Sequence, residues 1–187
     1  MLISFIKGFA QAFYSPRSLY LKISKGEKYN SWLCVLIYCL VYVGGSLWLY
    51  FKGFTPFTDA WIKLPGEIYY PVQSFYIIPL VFLMWILGAG VLHIVSKAFR
   101  GSGRFDVLLN MTGYSLWAPW YLLIIVDSIH STPEWLYNTV LGICIIIVIA
   151  GTTIAIMVEE KIKLIGALIS SIIAFISIGL ILFTFIR

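Results

Sequence analysis

The sequence predicts an all-α polytopic membrane protein, with five transmembrane helices and a short N-terminal interfacial amphipathic helix. Three observations predict it. Apolar runs at approximately 32–51, 72–98, 107–126, 135–158 and 164–186 each approach the ~20 residues a helix needs to cross a ~30 Å hydrocarbon core. Hydrophobic residues make up 61% of the 187 residues and charged residues 11%, against about 25% charge in soluble domains. The basic residues also segregate: Lys7, Arg17, Lys22, Lys25, Lys28, Lys97, Arg100, Arg104, Lys161 and Lys163 fall on one side of the runs, and Lys52, Lys63 and Arg187 on the other. The positive-inside rule then sets the N-terminus in the cytoplasm and the C-terminus outside, which an odd number of crossings satisfies. Residues 1–187 read as one membrane domain, since the runs leave no room for a second, soluble one.

At the N-terminus, Leu2, Phe5, Ile6, Phe9 and Phe13 recur at helical spacing, so residues 1–14 read as a helix lying in the interface. Ala10-Gln11-Ala12 mimics a cleavage site, but no basic region precedes it and Lys7 interrupts the apolar part; a cleaved leader is not expected. Ser15-Pro16 ends this helix, a basic segment runs to Asn30, and Ser31 is the expected N-cap of the first span. An outer loop at about 52–71 carries Pro56, Pro65, Gly66 and Pro71. With Trp48, Tyr50, Phe51, Trp61, Tyr69 and Tyr70 it predicts an outer aromatic belt. The second span is overlong and Pro79 predicts a kink in it. The third is the most polar, and Pro119 predicts a kink there. The fourth and fifth are plain, joined by the charged turn 159–163. Gly151 and Ala155, and Gly166, Ser170, Ala174 and Ser177, put small residues on one face for helix packing or for a homodimer.

Two faces carry the candidate functional residues. On the third span Asp106, Asn110, Gly113, Tyr114, Trp117 and Tyr121 form one helical stripe, which hydrocarbon would force toward the bundle interior. On the second, Trp85, Ala89, His93 and Ser96 share a face, and His93 is expected to hydrogen-bond the Asn110–Tyr114 stripe. Such a histidine is either a proton relay or polar-substrate contact, or a structural bond between helices. Arg100-Gly101-Ser102-Gly103-Arg104 lacks the ending and the preceding strand of a nucleotide loop. With Lys97 it is instead a candidate contact for lipid phosphates, through Lys97, Arg100 and Arg104. Cys34, Cys39 and Cys144 lie within spans, and Cys34 and Cys39 are about 140° apart on a helix, so no metal spacing or disulfide is expected. No cofactor or nucleic-acid partner is expected. Asp127 and His130 form no nucleophile–base–orienter set, so no enzymatic activity is expected either.

Three stretches together resemble the Yip-domain family of Ypt/Rab-interacting proteins. They are Phe13-Tyr14-Ser15-Pro16-Arg17, the run Gly88 to Phe105 ending in the Gly-rich turn, and Gly113-Tyr114-Ser115-Leu116-Trp117-Ala118-Pro119, similar to a Gly-Tyr-Ser-x-x-x-Pro element. The resemblance covers nearly the whole chain and implies a five-span helical bundle. Eukaryotic members act in Golgi and ER vesicle traffic and bind prenylated Rab-type GTPases. This chain lacks their Asp-Leu-Tyr-Gly-Pro element and long N-terminal region, and is similar to the short prokaryotic members. That implies a prokaryotic cell membrane and a membrane-protein partner such as an ABC-type exporter. The functional expectation is a non-enzymatic scaffold or adaptor that binds membrane proteins or organises lipids, anionic head groups included. The alternative is a small transporter or channel with a polar path between spans two and three.

Overall fold

The structure, a computed structural model, describes residues 2–53, 65–127 and 133–186, with side chains for 3–53, 65, 67–126 and 133–180. All regular structure among the described residues is α-helical. Most of the 52–71 loop, including Pro56, Trp61 and Lys63, lies outside the described residues, as do His130, Arg187 and the side chain of Asp127.

Two helices precede the first apolar run. α1 (Leu2–Tyr14) and α2 (Pro16–Ser24) are separated by Ser15 alone. Ser15-Pro16, expected as the end of the interfacial helix, is therefore a junction. Proline is at home in the first position of a helix because its missing N–H would have had no partner there. What draws α2 into a helix is its apolar face: Leu19, Tyr20 and Ile23 are buried against α7 and α5, while Arg17 and Lys25 stay exposed. Burial pushes the Tyr20 phenol well above its usual range, so it stays a neutral hydroxyl. α1 buries Phe5, Gly8 and Gln11 and leaves Ile3, Ile6 and Tyr14 exposed, so it is apolar on both sides.

α3 (Ser31–Phe51) matches the first apolar run. Its cap differs from the expectation. Ser31 is the first helical residue, Asn30 makes no side-chain cap bond, and the Ser31 N–H donates at 3.4 Å to Oδ1 of Asn110 on another helix. A free helix-end donor is thus satisfied from outside the segment.

α4 (Gly66–Ala98) begins before its expected start and carries both Pro71 and Pro79 inside it. Tyr69 and Tyr70, expected in an outer belt, are buried in its first turns. The side-chain amide of Gln73 donates at 2.8 Å to the Tyr42 hydroxyl of α3, tying this end down.

The third run, expected as one helix, is two. α5 (Phe105–Ser115) and α6 (Trp120–Asp127) are divided at Leu116–Pro119. Pro119 has no N–H to offer Ser115, and the chain tightens to three-residue bonds: Trp120 N–H to Trp117, Tyr121 to Ala118 and Leu122 to Pro119.

α7 (Glu134–Glu159) and α8 (Leu164–Ile186) complete the chain. α8 packs on α4 and α7. Gly166 lies against the Phe99 ring, Gly151 against Ser115, and Ser170, Ala174 and Ala155 are buried, so these small residues serve packing within the protomer.

Among the described residues α3, Glu67–Ala98 of α4, and α7 are long and apolar enough to cross a membrane; Leu164–Leu180 of α8 is a shorter apolar helix. The outward surface is apolar too: Phe75, Ile94, Ile146 and Ile165 are all more than two-thirds exposed. A water-facing surface would not be built so, and the molecule is an integral membrane protein of helical-bundle type.

Candidate functional site

The two candidate faces do not meet. Asn110, Gly113, Tyr114, Trp117 and Tyr121 turn toward α3 and α1, not toward α4. Asn110 holds the Ser31 N–H, and Gly113 lies under the Ser31 side chain. Tyr114 is completely buried beneath Gly8 and Tyr29. Trp117 packs on Tyr38 at 5.0 Å between ring centroids, and the Tyr121 hydroxyl donates at 2.6 Å to the Cys34 carbonyl. Asp106 is largely exposed, 3.6 Å from Arg104 Nε. α4 meets the other side of α5, where the Trp85 indole N–H is shared between the Leu109 carbonyl at 2.9 Å and the Thr112 hydroxyl at 3.2 Å.

His93 therefore does not bond the Asn110–Tyr114 stripe. Its Nδ1 lies 2.5 Å from Oε1 of Glu160, the first residue past α7. An ionised carboxylate can only accept, so opposite a charged Glu160 the proton of this bond sits on Nδ1. The Phe105 ring packs on the imidazole in an edge-type arrangement, 5.8 Å between centroids. The Ser96 hydroxyl donates at 2.7 Å to the His93 carbonyl within its own helix and does not reach the carboxylate. From the sequence alone Glu160 reads as one charge of the turn 159–163. It is fully buried, as is most of Glu159.

The α4–α5 turn wraps around these two acids. Oε2 of Glu160 accepts the Gly103 N–H at 2.8 Å and faces Lys97 Nζ at 3.4 Å. Lys97 also donates to the Gly101 and Gly103 carbonyls, each at 3.2 Å, so its ammonium stitches the turn to the carboxylate. The Ser102 N–H reaches the Glu160 carbonyl at 3.1 Å. Glu159 accepts the Arg104 N–H at 2.9 Å and the Ser24 hydroxyl of α2 at 2.9 Å. Four segments are thus joined by two buried carboxylates: the end of α4, the α4–α5 turn, the α7–α8 turn and α2. A buried carboxylate costs several kcal/mol in lost hydration and is tolerated only when its lone pairs are met; here each of the four oxygens has a donor.

The close approach selects glycine. A Cβ on Gly103 would stand 2.7 Å from the Glu159 carbonyl oxygen, backbone that cannot yield. Elsewhere the turns use charge where glycine would be easiest. Arg100 and Lys161 have φ of 65° and 57°, the left-handed region that suits glycine at a helix end. Both side chains are exposed, as are Arg104 and Lys163.

The three proposed lipid-phosphate contacts thus separate. Lys97 is committed to Glu160 and the turn carbonyls, and Arg104 lies beside Asp106. Arg100 is exposed in its left-handed position. The turn's N–H groups at 101–104 are all spent within the protein, so no free backbone cradle for a phosphate is left.

A second polar region lies at the α5–α6 break. The Tyr114 hydroxyl and the Trp117 indole N–H are buried with no hydrogen-bond partner among the described residues. Cys144 Sγ lies 3.2 Å from the Pro119 carbonyl at the same break. Comparison with protein-family models, curated proteins and solved structures found no match for this chain.

Proposed function

We propose that this chain is a non-enzymatic, Yip-like integral membrane protein of five spans that organises anionic lipids or binds another membrane protein through its basic end. In this reading that end is cytoplasmic, the C-terminus is outside, and α5–α6 together make the third crossing. A membrane partner of the ABC-exporter kind belongs to the same reading.

The observation that carries it is the charge arrangement at the two turns. Glu159 and Glu160 are buried and answered internally, while Arg100, Arg104, Lys161 and Lys163 remain on the surface. Two of these cations sit in left-handed backbone, at a cost of about 1–2 kcal/mol each that glycine would avoid. A conformation kept against that cost favours a use for the charge. Each cation near an anionic surface contributes about 1 kcal/mol to attraction.

The test is the pair Arg100→Gly and Lys161→Gly. Each should raise thermal stability, by about 1 kcal/mol. Together they should weaken binding to anionic over zwitterionic lipid in nanodiscs by about tenfold or more. Higher stability with unchanged lipid preference would defeat the lipid half of the reading, and unchanged capture of membrane proteins from solubilised membranes by the same double variant would defeat the other half.

A second reading, a small transporter or channel, draws on the broken α5–α6 helix and on the Tyr114 hydroxyl and Trp117 indole, which have no hydrogen-bond partner among the described residues, since broken helices with free polar groups line transport sites. Its route would run between α3 and α5, because the stripe is turned away from α4. Solute flux in proteoliposomes that falls at least tenfold in Tyr114→Phe would favour it; absence of flux for ions and small solutes would remove it.

A further inference from the structure

We propose that the α4–α5 turn is an anion site which the protein's own Glu160 occupies, and that a phosphomonoester group takes the place of that carboxylate. The inference rests on the lipid-facing reading of the basic end and names the ligand chemistry of one part of it.

Three donors converge on the Glu160 carboxylate: His93 Nδ1, Lys97 Nζ and the Gly103 N–H. An imidazole, an ammonium and a backbone amide meeting at one point are the donor set of a phosphate site. The carboxylate itself is completely shielded, yet the donors are not. The side chain of Lys97 is 44% exposed and that of His93 22%. The outer parts of both side chains thus lie at the surface, and the donors open to an outside anion once the Glu160 side chain leaves. Arg100 and Arg104 of the same turn and Lys161, next to Glu160 in the chain, are exposed as well.

The helix end opposes the charge that these donors hold in place. Glu160 follows the last residue of α7, where the helix dipole disfavours negative charge, and α7 has no basic residue in its last turn. The turns do not depend on its side chain alone. The Ser102 N–H bond to the Glu160 carbonyl and the Arg104 N–H bond to Glu159 hold them together when the Glu160 side chain swings out. Side-chain exchange is then possible without separating the helices.

Charge selects the ligand. A phosphodiester headgroup brings one negative charge, the same as the carboxylate it would displace. A phosphomonoester brings about −1.5 to −2 at neutral pH and three terminal oxygens for three donors. The group has two sources, a lipid headgroup or free phosphate.

The experiment uses the full chain in zwitterionic nanodiscs. Titrations with a phosphomonoester lipid, a phosphodiester anionic lipid and inorganic phosphate are followed by native mass spectrometry. Glu160→Gln keeps the volume and removes the competing charge, so phosphomonoester affinity should rise about tenfold while phosphodiester affinity stays within about twofold. Lys97→Met should abolish that gain when added to Glu160→Gln. A gain for the lipid alone names the headgroup as the source; an equal gain for inorganic phosphate names the free ion. Glu160→Asp, which keeps the charge but withdraws it from the donors, should show the same selectivity with a smaller gain, and decides the matter if Glu160→Gln does not fold. No gain, or an equal gain for both lipid classes, overturns the proposal. Anionic-lipid binding that depends on Arg100 and Lys161 but ignores Glu160 would leave the lipid-facing reading intact while this inference fails.

Discussion

The double variant His93→Leu/Lys97→Met should lose about 3–5 kcal/mol of stability, the cost of leaving a buried carboxylate without its charged and imidazole partners. Both replacements keep the apolar bulk of the side chain, so lost packing contributes little. Only the Gly103 N–H would remain on the Glu160 carboxylate. The decisive measurement is the triple variant. Adding Glu160→Gln removes the orphaned charge and should recover a large part of the loss, about 2 kcal/mol or more. Thermal unfolding in mild detergent reads both steps. A triple variant no more stable than the double would mean that the cluster acts through packing and not through charge.

Gly113→Ala should be the second severe change. A Cβ there would stand 2.6 Å from Ser31 Cβ and 2.7 Å from its hydroxyl, with the Ser31 carbonyl oxygen at 3.1 Å. The first turn of α3 must move off α5, which also strains the Asn110 bond to the Ser31 N–H. Overpacking of this kind costs about 1–3 kcal/mol. Ser31→Gly removes the atoms that collide, so it should restore much of the stability of Gly113→Ala while being mildly destabilising alone. Additive losses in a double-mutant cycle would show that the two residues do not share this contact.

The long apolar helices were legible in the sequence because length and composition are local properties. α3, α7 and α8 lie close to the runs that predict them. The apolar run falls six residues short of α4 because Pro71 carries the signal of a loop residue, whereas an established helix tolerates it near its first turns. α2 was hidden by Arg17, Lys22 and Lys25, although Ser15-Pro16 and the spacing of Leu19, Tyr20 and Ile23 carried its signal. The break at Leu116–Pro119 was marked by Pro119 as a kink, but a kink and a full division differ only in packing. The partner of His93 was beyond reach. Glu160 is 67 residues away, and in the chain it looks like half of a solvated turn charge. Periodicity groups Asn110, Gly113, Tyr114 and Trp117 on one face, yet it cannot say which neighbouring helix that face meets. The meeting with α3 depends on Gly113 and Ser31 approaching closely, a property of two surfaces together.

One consequence of α4 concerns the bilayer and not the site. Its 33 residues measure about 50 Å if straight, some 20 Å beyond a typical hydrocarbon thickness. Pro71 and Pro79 each remove one rung of the hydrogen-bond ladder, leaving the carbonyls of Glu67 and Phe75 without their usual donors and giving the helix two places to flex. A rod with two such joints adapts to hydrophobic mismatch: it leans in a thin membrane and straightens in a thick one. Its far end is anchored by His93 and Lys97 on Glu160. Membrane thickness is thus expected to bear first on the tilt of α4, the helix whose end carries the contacts to Glu160.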